Sequence, residues 1–277
     1  MTVLMGMTSS RPAPSKEIHI KPVKAKEAKM FTYVKRHSLN ASEIRKNDKN
    51  NSFTAEATYF LHSHILFDPI TAKYSLRTAK ARCDLFTYIT EPNRQTSGKS
   101  MEICRQLMAQ VKLLHRLGIT HRDLKPENIL IYDDGAVICD YGLSVLDDEM
   151  HFGGTLPYAA PEILQMAIDR QQTNQNMKPM LLPSEKQAMF DIWALGMTFF
   201  VLFARKHLWP VATPDNLVYS SYCNSNDRTE WLRATIQESA VNPSEIPPGI
   251  YAVIAHMLNP NAEERSLDHV ARLLEAM

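Results

Sequence analysis

The chain has 277 residues, 44% hydrophobic and 22% charged, a balance that suits a large or two-lobed globular unit with a substantial core. Lys and Arg number 31 against 30 Asp and Glu, a formal charge of +1, so no overall field draws in nucleic acid or anionic lipid. The charge is uneven, however: residues 11–49 are rich in Lys and Arg and poor in acids. That stretch reads either as a solvated basic face or as a surface that attracts phosphate or an acidic partner.

The opening "MTVLMGMTSS" lacks the basic start and long apolar run of a signal peptide. "EIHIKPV" (17–23), "MFTYVKR" (30–36), "HILFDPI" (64–70) and "KYSL" (73–76) are short and rich in β-branched or aromatic residues, and are predicted as strands. "SFTAEATYFLHS" (52–63) is predicted as a helix between them. From Ser100 the period changes. Ile103, Leu107, Val111, Leu114 and Leu117 recur at helical spacing, with Ser100 able to cap the start and Gly118 the end. "NILIYDDGAVICD" is predicted as a hairpin around Asp134-Gly135. The polar, proline-bearing segment at about 168–187 reads as a surface insertion. "IWALGMTFFVLFA" (192–204) falls short of the ~18–20 residues of a membrane span and is predicted as a buried core helix. A strand-rich first part and a helix-rich second part predict an α+β protein of two lobes. The small lobe takes about 1–80, the large one about 81–277, and the join falls near 77–84. Cys83, Cys104, Cys139 and Cys223 form no CxxC pair and are read as reduced thiols of an intracellular, cytoplasmic protein, with the nucleus or a host-cell cytosol as further compartments.

Polar chemistry concentrates in "HRDLKPENIL" (121–130) and "CDYG" (139–142). A hairpin returns its exit to its entry, so Asn128 and Asp140 come together. Two hard oxygen ligands side by side suit Mg²⁺, which takes its remaining ligands from water and phosphate. Asp123 can accept a proton from an incoming hydroxyl, and Lys125 offers a cation for phosphate charge. This is the inventory of a phosphoryl-transfer site.

"HRDLKPEN", "DYG" (140–142) and "APE" (160–162), in that order, resemble the eukaryotic-type protein kinase family. "GTLPYAAPE" (154–162) resembles its substrate-docking segment, with Thr155 where the family hydrogen-bonds the catalytic Asp. "DIWALG" (191–196) is similar to the buried helix whose Asp, here Asp191, anchors the catalytic loop. Arg265 stands where the family pairs an Arg with the Glu of APE, here Glu162. Lys125, two residues after Asp123, follows the serine/threonine pattern. The resemblance implies a two-lobed kinase using ATP and Mg²⁺ on protein Ser/Thr hydroxyls, a monomer without a nucleic-acid or membrane partner. Asp123, Lys125 and Asn128 would be catalytic, and Asn128 and Asp140 would hold the metal. Ile20, Thr78, Ala79, Lys80, Leu130 and Asp140 would contact the nucleotide, with the backbone of Thr78 to Lys80 as the hinge against adenine.

For the lysine that holds the α- and β-phosphates, "TYVK" (32–35) nominates Lys35, with Lys29 as runner-up. "AEATYFLHSHIL" (55–66) nominates Glu56 as its partner, with Glu43 as the alternative. Tyr141 is expected to pack under the helix of that glutamate. There are departures too. No glycine occurs between Gly6 and Gly98, so the phosphate-covering loop is expected near "APSKEI" (13–18), with Ala13, Ser15 and Ile18 at the glycine positions. Tyr33 stands at an adenine-packing position, and Arg77 near the gatekeeper. Ahead of Thr155, "DDEMHFGGT" carries no hydroxyl, so Asp147, Asp148 or Glu149 either pairs with Arg122 in place of a phosphate or forms a solvated acidic turn. Two rival readings stand beside the enzyme: a pseudokinase that serves as a binding module, and a small-molecule kinase.

Overall fold

The computed structural model describes residues 18–45, 63–91, 97–146, 149–150, 153–172, 180–239 and 246–277. The small lobe starts with β1 (Ile18–Val23) and α1 (Ala25–Arg45), followed by β2 (His64–Asp68) and β3 (Lys73–Ala79). The three strands form an antiparallel sheet of order β1-β3-β2, with Lys21 opposite Leu76 and Leu76 opposite Ile65. Pro22 sits in β1, at the edge of this sheet among the described residues, where a missing N–H costs no ladder bond. One sheet face packs on α1, and Phe31, Val34, Leu76, Val137 and Tyr141 form a joint core there.

"MFTYVKR" is helical, not a strand. Its aromatic and β-branched residues favour a strand in a short window. The longer spacing decides otherwise: Ala28, Phe31 and Val34, three residues apart, are 3%, 2% and 1% exposed, which is one face of a helix. The helix expected at 52–63 lies outside the described residues, apart from Ser63.

The large lobe follows β4 (Cys83–Asp84) and α2 (Leu85–Thr90). Asp84 caps α2 by accepting from the Thr87 N–H at 2.6 Å. The long helix α3 (Ser97–Arg116) starts three residues before the expected cap and ends before Gly118, which takes φ +72°. β5 (Ile129–Tyr132) and β6 (Gly135–Ile138) form the hairpin, with Tyr132 opposite Gly135, so the turn is Asp133-Asp134, one residue earlier than predicted. β7 (Glu149–Met150) lies in the segment that leads to "GTLPYAAPE". It pairs antiparallel with β8 (Met180–Leu181), Glu149 opposite Leu181. Between them, α4 spans Pro161–Gln172. The insertion is therefore shorter than 168–187: its first residues belong to α4, and its last to α5 (Ser184–Ala204).

Helix α5 is long and apolar enough to cross a bilayer, but 94% of its most apolar window is buried inside the fold. It is buried in the large lobe, as expected, packed by α6 (Leu217–Cys223), α7 (Arg228–Ser239) and α8 (Ile250–Met257), while α9 (Leu267–Glu275) packs on α3 and α8. Gly196 is required at the crossing with α8, because a Cβ there would meet the Met257 Cβ at 2.7 Å. All four cysteines are free thiols. The arrangement is a two-lobed α+β fold, as the sequence predicted.

Candidate active site

The segment 120–128 runs from α3 to the hairpin, and its shape is imposed from beneath. Asp191, in α5 and fully buried, accepts the backbone N–H of His121 and of Arg122, both at 2.8 Å, and meets His115 Nε2 at 3.0 Å. Burial raises the pKa of this carboxyl, but the His115 hydrogen bond and the neighbouring donors outweigh it and hold it below the ordinary carboxylate range. Those contacts hold Arg122 at φ +71°, a conformation non-glycine residues seldom adopt. His121 Nε2 lies 3.1 Å from the Cys139 carbonyl, which can only accept, so Nε2 carries the proton. Burial pushes this imidazole below its usual pKa and keeps it neutral.

On that base the polar side chains converge. Thr155 Oγ1 donates to Asp123 Oδ1 at 2.9 Å. Lys125 Nζ lies 2.9 Å from Asp123 Oδ2 and 2.8 Å from Thr155 Oγ1. Asn128 Nδ2 donates to the Asp123 carbonyl at 2.8 Å and to Oδ2 at 2.9 Å. With its NH₂ spent on Asp123, the Asn128 amide has its oxygen left for a cation. The Cys139 N–H donates to the Asn128 carbonyl at 2.9 Å, which sets Asp140 beside Asn128. Asp140 takes φ 64° and ψ 76° and accepts from the Gly142 N–H at 3.2 Å. This pair of oxygen donors fits Mg²⁺. Gly154, at φ +114°, lies against the Arg122 carbonyl, which a Cβ would approach to 3.0 Å.

Among the described residues, the small-lobe lysine that reaches Asp140 is Lys21 and not the nominated Lys35. Lys21, on β1, pairs with Glu27 Oε1 at 2.9 Å and reaches Asp140 Oδ2 at 3.9 Å. Desolvation lowers the Lys21 pKa, but the Glu27 hydrogen bond and the charges of Asp140 and Glu27 outweigh it and raise the ammonium above the usual lysine value. Lys35 is on α1, not on a strand, and its Nζ donates to the Ser63 carbonyl. It lines a surface cleft of about 400 Å³ with Phe31, Arg36 and His64, so it is engaged elsewhere. Lys29 is exposed on the same helix. Glu56 lies outside the described residues, and Glu43 is a residue of α1. The signal for Lys21 was "HIKPV" read as a strand, with Glu27 in the first turn of the helix that follows.

Tyr141 packs under a helix as expected, but the helix is α1: its ring centroid is 6.4 Å from Phe31 and 5.4 Å from His121. Tyr33, on α1, packs on the small-lobe core rather than at an adenine position. Ile20 is 56% exposed and lies next to Lys21, so strand alternation turns it to the opposite sheet face, away from Asp140. Arg77 pairs with Ile20 across the ladder and is exposed with it. Thr78 and Ala79 are buried, while Lys80 is exposed. Leu130 is half-buried on β5. Of "APSKEI", Ile18 belongs to β1, and the rest lies outside the described residues. So do Asp147 and Asp148, while Glu149 is in β7. Arg122 Nε is buried without a hydrogen-bond partner among the described residues. Glu162 receives Arg265 on both carboxylate oxygens, at 2.6 and 3.0 Å, and the guanidinium stacks 4.7 Å over Trp193.

The protein kinase domain family matches residues 70–272, and the chain belongs to that family, of the eukaryotic type. It is 30% identical over 205 residues to the negative regulator of sexual conjugation and meiosis of Schizosaccharomyces pombe, covering 69% of this chain and 43% of that one. It is 35% identical over 125 residues to CBL-interacting protein kinase 29 of Oryza sativa subsp. japonica, covering 44% and 25%. It is 29% identical over 179 residues to the serine/threonine-protein kinase chk1 of Schizosaccharomyces pombe, covering 60% and 30%. The chain thus spans less than half the length of each of these relatives.

Proposed function

We propose that the chain is an ATP-dependent protein serine/threonine kinase. One observation carries the reading: Asp123 is bonded at once by Lys125, Thr155 and Asn128, so the base, the phosphate cation and a metal ligand are pre-positioned together. In the reaction, the substrate hydroxyl oxygen attacks the γ-phosphorus, the bond to the β-phosphate oxygen breaks, and ADP leaves. Asp123 orients that hydroxyl and receives its proton, and Lys125 steadies the transferred group. Asn128 and Asp140 would hold Mg²⁺, which neutralises phosphate charge when bound. Lys21, fixed by Glu27, holds the α- and β-phosphates in the role first given to Lys35 and Glu56. The backbone of Thr78 to Lys80 meets the base edge, and Leu130 lies beneath it. A protein substrate docks on the segment after Thr155, where Leu156 is 61% exposed. Lys125 and the name of the chk1 relative support Ser/Thr hydroxyls as acceptors.

The test is phosphate incorporation from labelled Mg-ATP into generic protein substrates, beside Asp123→Asn and Asp140→Asn. Incorporation by the natural chain that falls at least a hundredfold in both variants is expected. Equal incorporation in all three samples, or none in any, returns the chain to the pseudokinase reading, which the absence of glycine between Gly6 and Gly98 favours.

A further inference from the structure

Tyr132 is not used by the reading above, yet its hydroxyl donates to the Ala79 carbonyl at 3.0 Å. The contact is built in from both sides. Cys83 pairs with Ile131 and Asp84 with Leu130, and the Arg82 N–H donates to the Ile131 carbonyl at 2.9 Å, so the segment 79–84 runs beside β5. Along β5 the side chains alternate. Ile129 and Ile131 are fully buried in the large-lobe core, whereas Leu130 and Tyr132 turn to the small lobe and pack on its cluster. Tyr132 thus stands on the face of β5 proposed to underlie the base. Its hydroxyl reaches a backbone acceptor of the segment proposed to meet the base edge.

The chemistry of that contact is directional. A carbonyl only accepts, so the phenol is the donor. Burial raises the Tyr132 pKa well above the ordinary phenol value, so the proton stays on oxygen. A 6-amino purine brings an N–H donor to this acceptor and must share it with the phenol. A 6-oxo purine brings an acceptor to the same place and can take the phenol's proton as its own hydrogen bond.

We propose that Tyr132 selects the nucleotide base: its hydroxyl, held at the Ala79 carbonyl, shifts the base pocket from 6-amino toward 6-oxo purine triphosphates. The proposal rests on the nucleotide-binding reading above and adds base selectivity to it. Inosine triphosphate isolates the effect, because it differs from ATP at position 6 without the 2-amino group of GTP.

The experiment measures dissociation constants of Mg-ATP, Mg-ITP and Mg-GTP by calorimetry, for the natural chain and Tyr132→Phe. Phe keeps the ring and removes only the donor. The preference for ATP over ITP is expected to rise about fivefold, the size of one neutral hydrogen bond, with tighter ATP binding. A thermal melt checks folding, and Tyr132→Leu, which also lacks the donor, should move the preference the same way. An ATP-to-ITP ratio unchanged within twofold, with ATP bound, overturns the role of Tyr132 alone. No binding of any nucleotide to either chain overturns the nucleotide reading and this proposal with it.

Discussion

Replacing Lys21 with Met, beside Lys35→Met, decides which lysine serves the phosphates. Lys21 Nζ is 2.9 Å from Glu27 and 3.9 Å from Asp140, with 32% of its side chain exposed. It is held within reach of the proposed metal ligand, and Lys35 is not. Removing one pre-organised cation from a developing phosphate charge costs about 10²–10³ in rate, or about 3–4 kcal/mol. Met at position 21 also leaves Glu27, 12% exposed, without its partner, at a cost of about 1 kcal/mol after allowance for solvent screening. The chain should therefore still fold. The assay is phosphate incorporation from labelled ATP at saturating protein substrate, with Mg-ATP affinity by calorimetry and a urea melt on the same samples. Lys21→Met should lose at least a hundredfold in kcat/KM for ATP. Lys35→Met should stay within about threefold, because its Nζ is spent on the Ser63 carbonyl. If Lys35→Met is the inactive variant, the assignment of Lys21 is wrong.

Asp191→Ala should destabilise the chain by about 2–6 kcal/mol in urea melts, since two buried backbone N–H groups lose their acceptor at about 1–3 kcal/mol each; a loss below about 1 kcal/mol would refute the anchoring role. Met180→Pro with Leu181→Pro removes the backbone donors that β8 can offer to β7, and should raise KM for a protein substrate severalfold and speed proteolysis around 149–150. By contrast, changing Asp147, Asp148 and Glu149 together to Ala should leave turnover within about threefold if strand pairing positions this segment; a tenfold loss would assign the task to the acids. The His121 pKa is depressed by burial, so its contribution to stability is complete above the unfolded value of about 6.5 and is lost as pH falls toward the folded one. His207 and His256 are depressed as well, so unfolding free energy should decline below about pH 6.5; a flat profile between pH 7 and 5 would contradict this.

Local sequence carried the catalytic loop and its supports. Asp123, Lys125, Asn128, Asp140, Thr155, Asp191, Glu162 and Arg265 occur in motifs whose spacing can be read without coordinates, and the polar contacts expected of Thr155, Asp191, Glu162 and Arg265 are all present. The hairpin was legible because two apolar runs flank a turn, although its centre moved by one residue. The buried helix 192–204 was legible from its unbroken hydrophobicity, with a true start at Ser184.

The small lobe was legible only in part, for a physical reason. Its lysine is defined by what it touches, and a basic stretch offers many candidates of the same type. "TYVK" has the residues of a strand, but three apolar positions on one face turned it into a helix against the sheet. Only the packing of Phe31 and Val34 on Leu76 and Tyr141 discriminates between the two. The Lys21–Glu27 pair needs a strand, a one-residue link at Lys24 and the first turn of a helix at once, which is a tertiary fact. The Tyr132 hydroxyl at the Ala79 carbonyl joins residues 53 apart, and no local pattern announces it. Sequence alone thus determined the family, the two-lobed α+β fold and the chemistry gathered around Asp123, because Asp123, Lys125, Asn128 and Asp140 lie on one short loop and hairpin, and the distant partners Thr155, Asp191 and Arg265 each sit in a motif of their own. The tertiary structure decided which lysine faces Asp140 and what occupies the Ala79 carbonyl, because both depend on how one lobe is packed against the other.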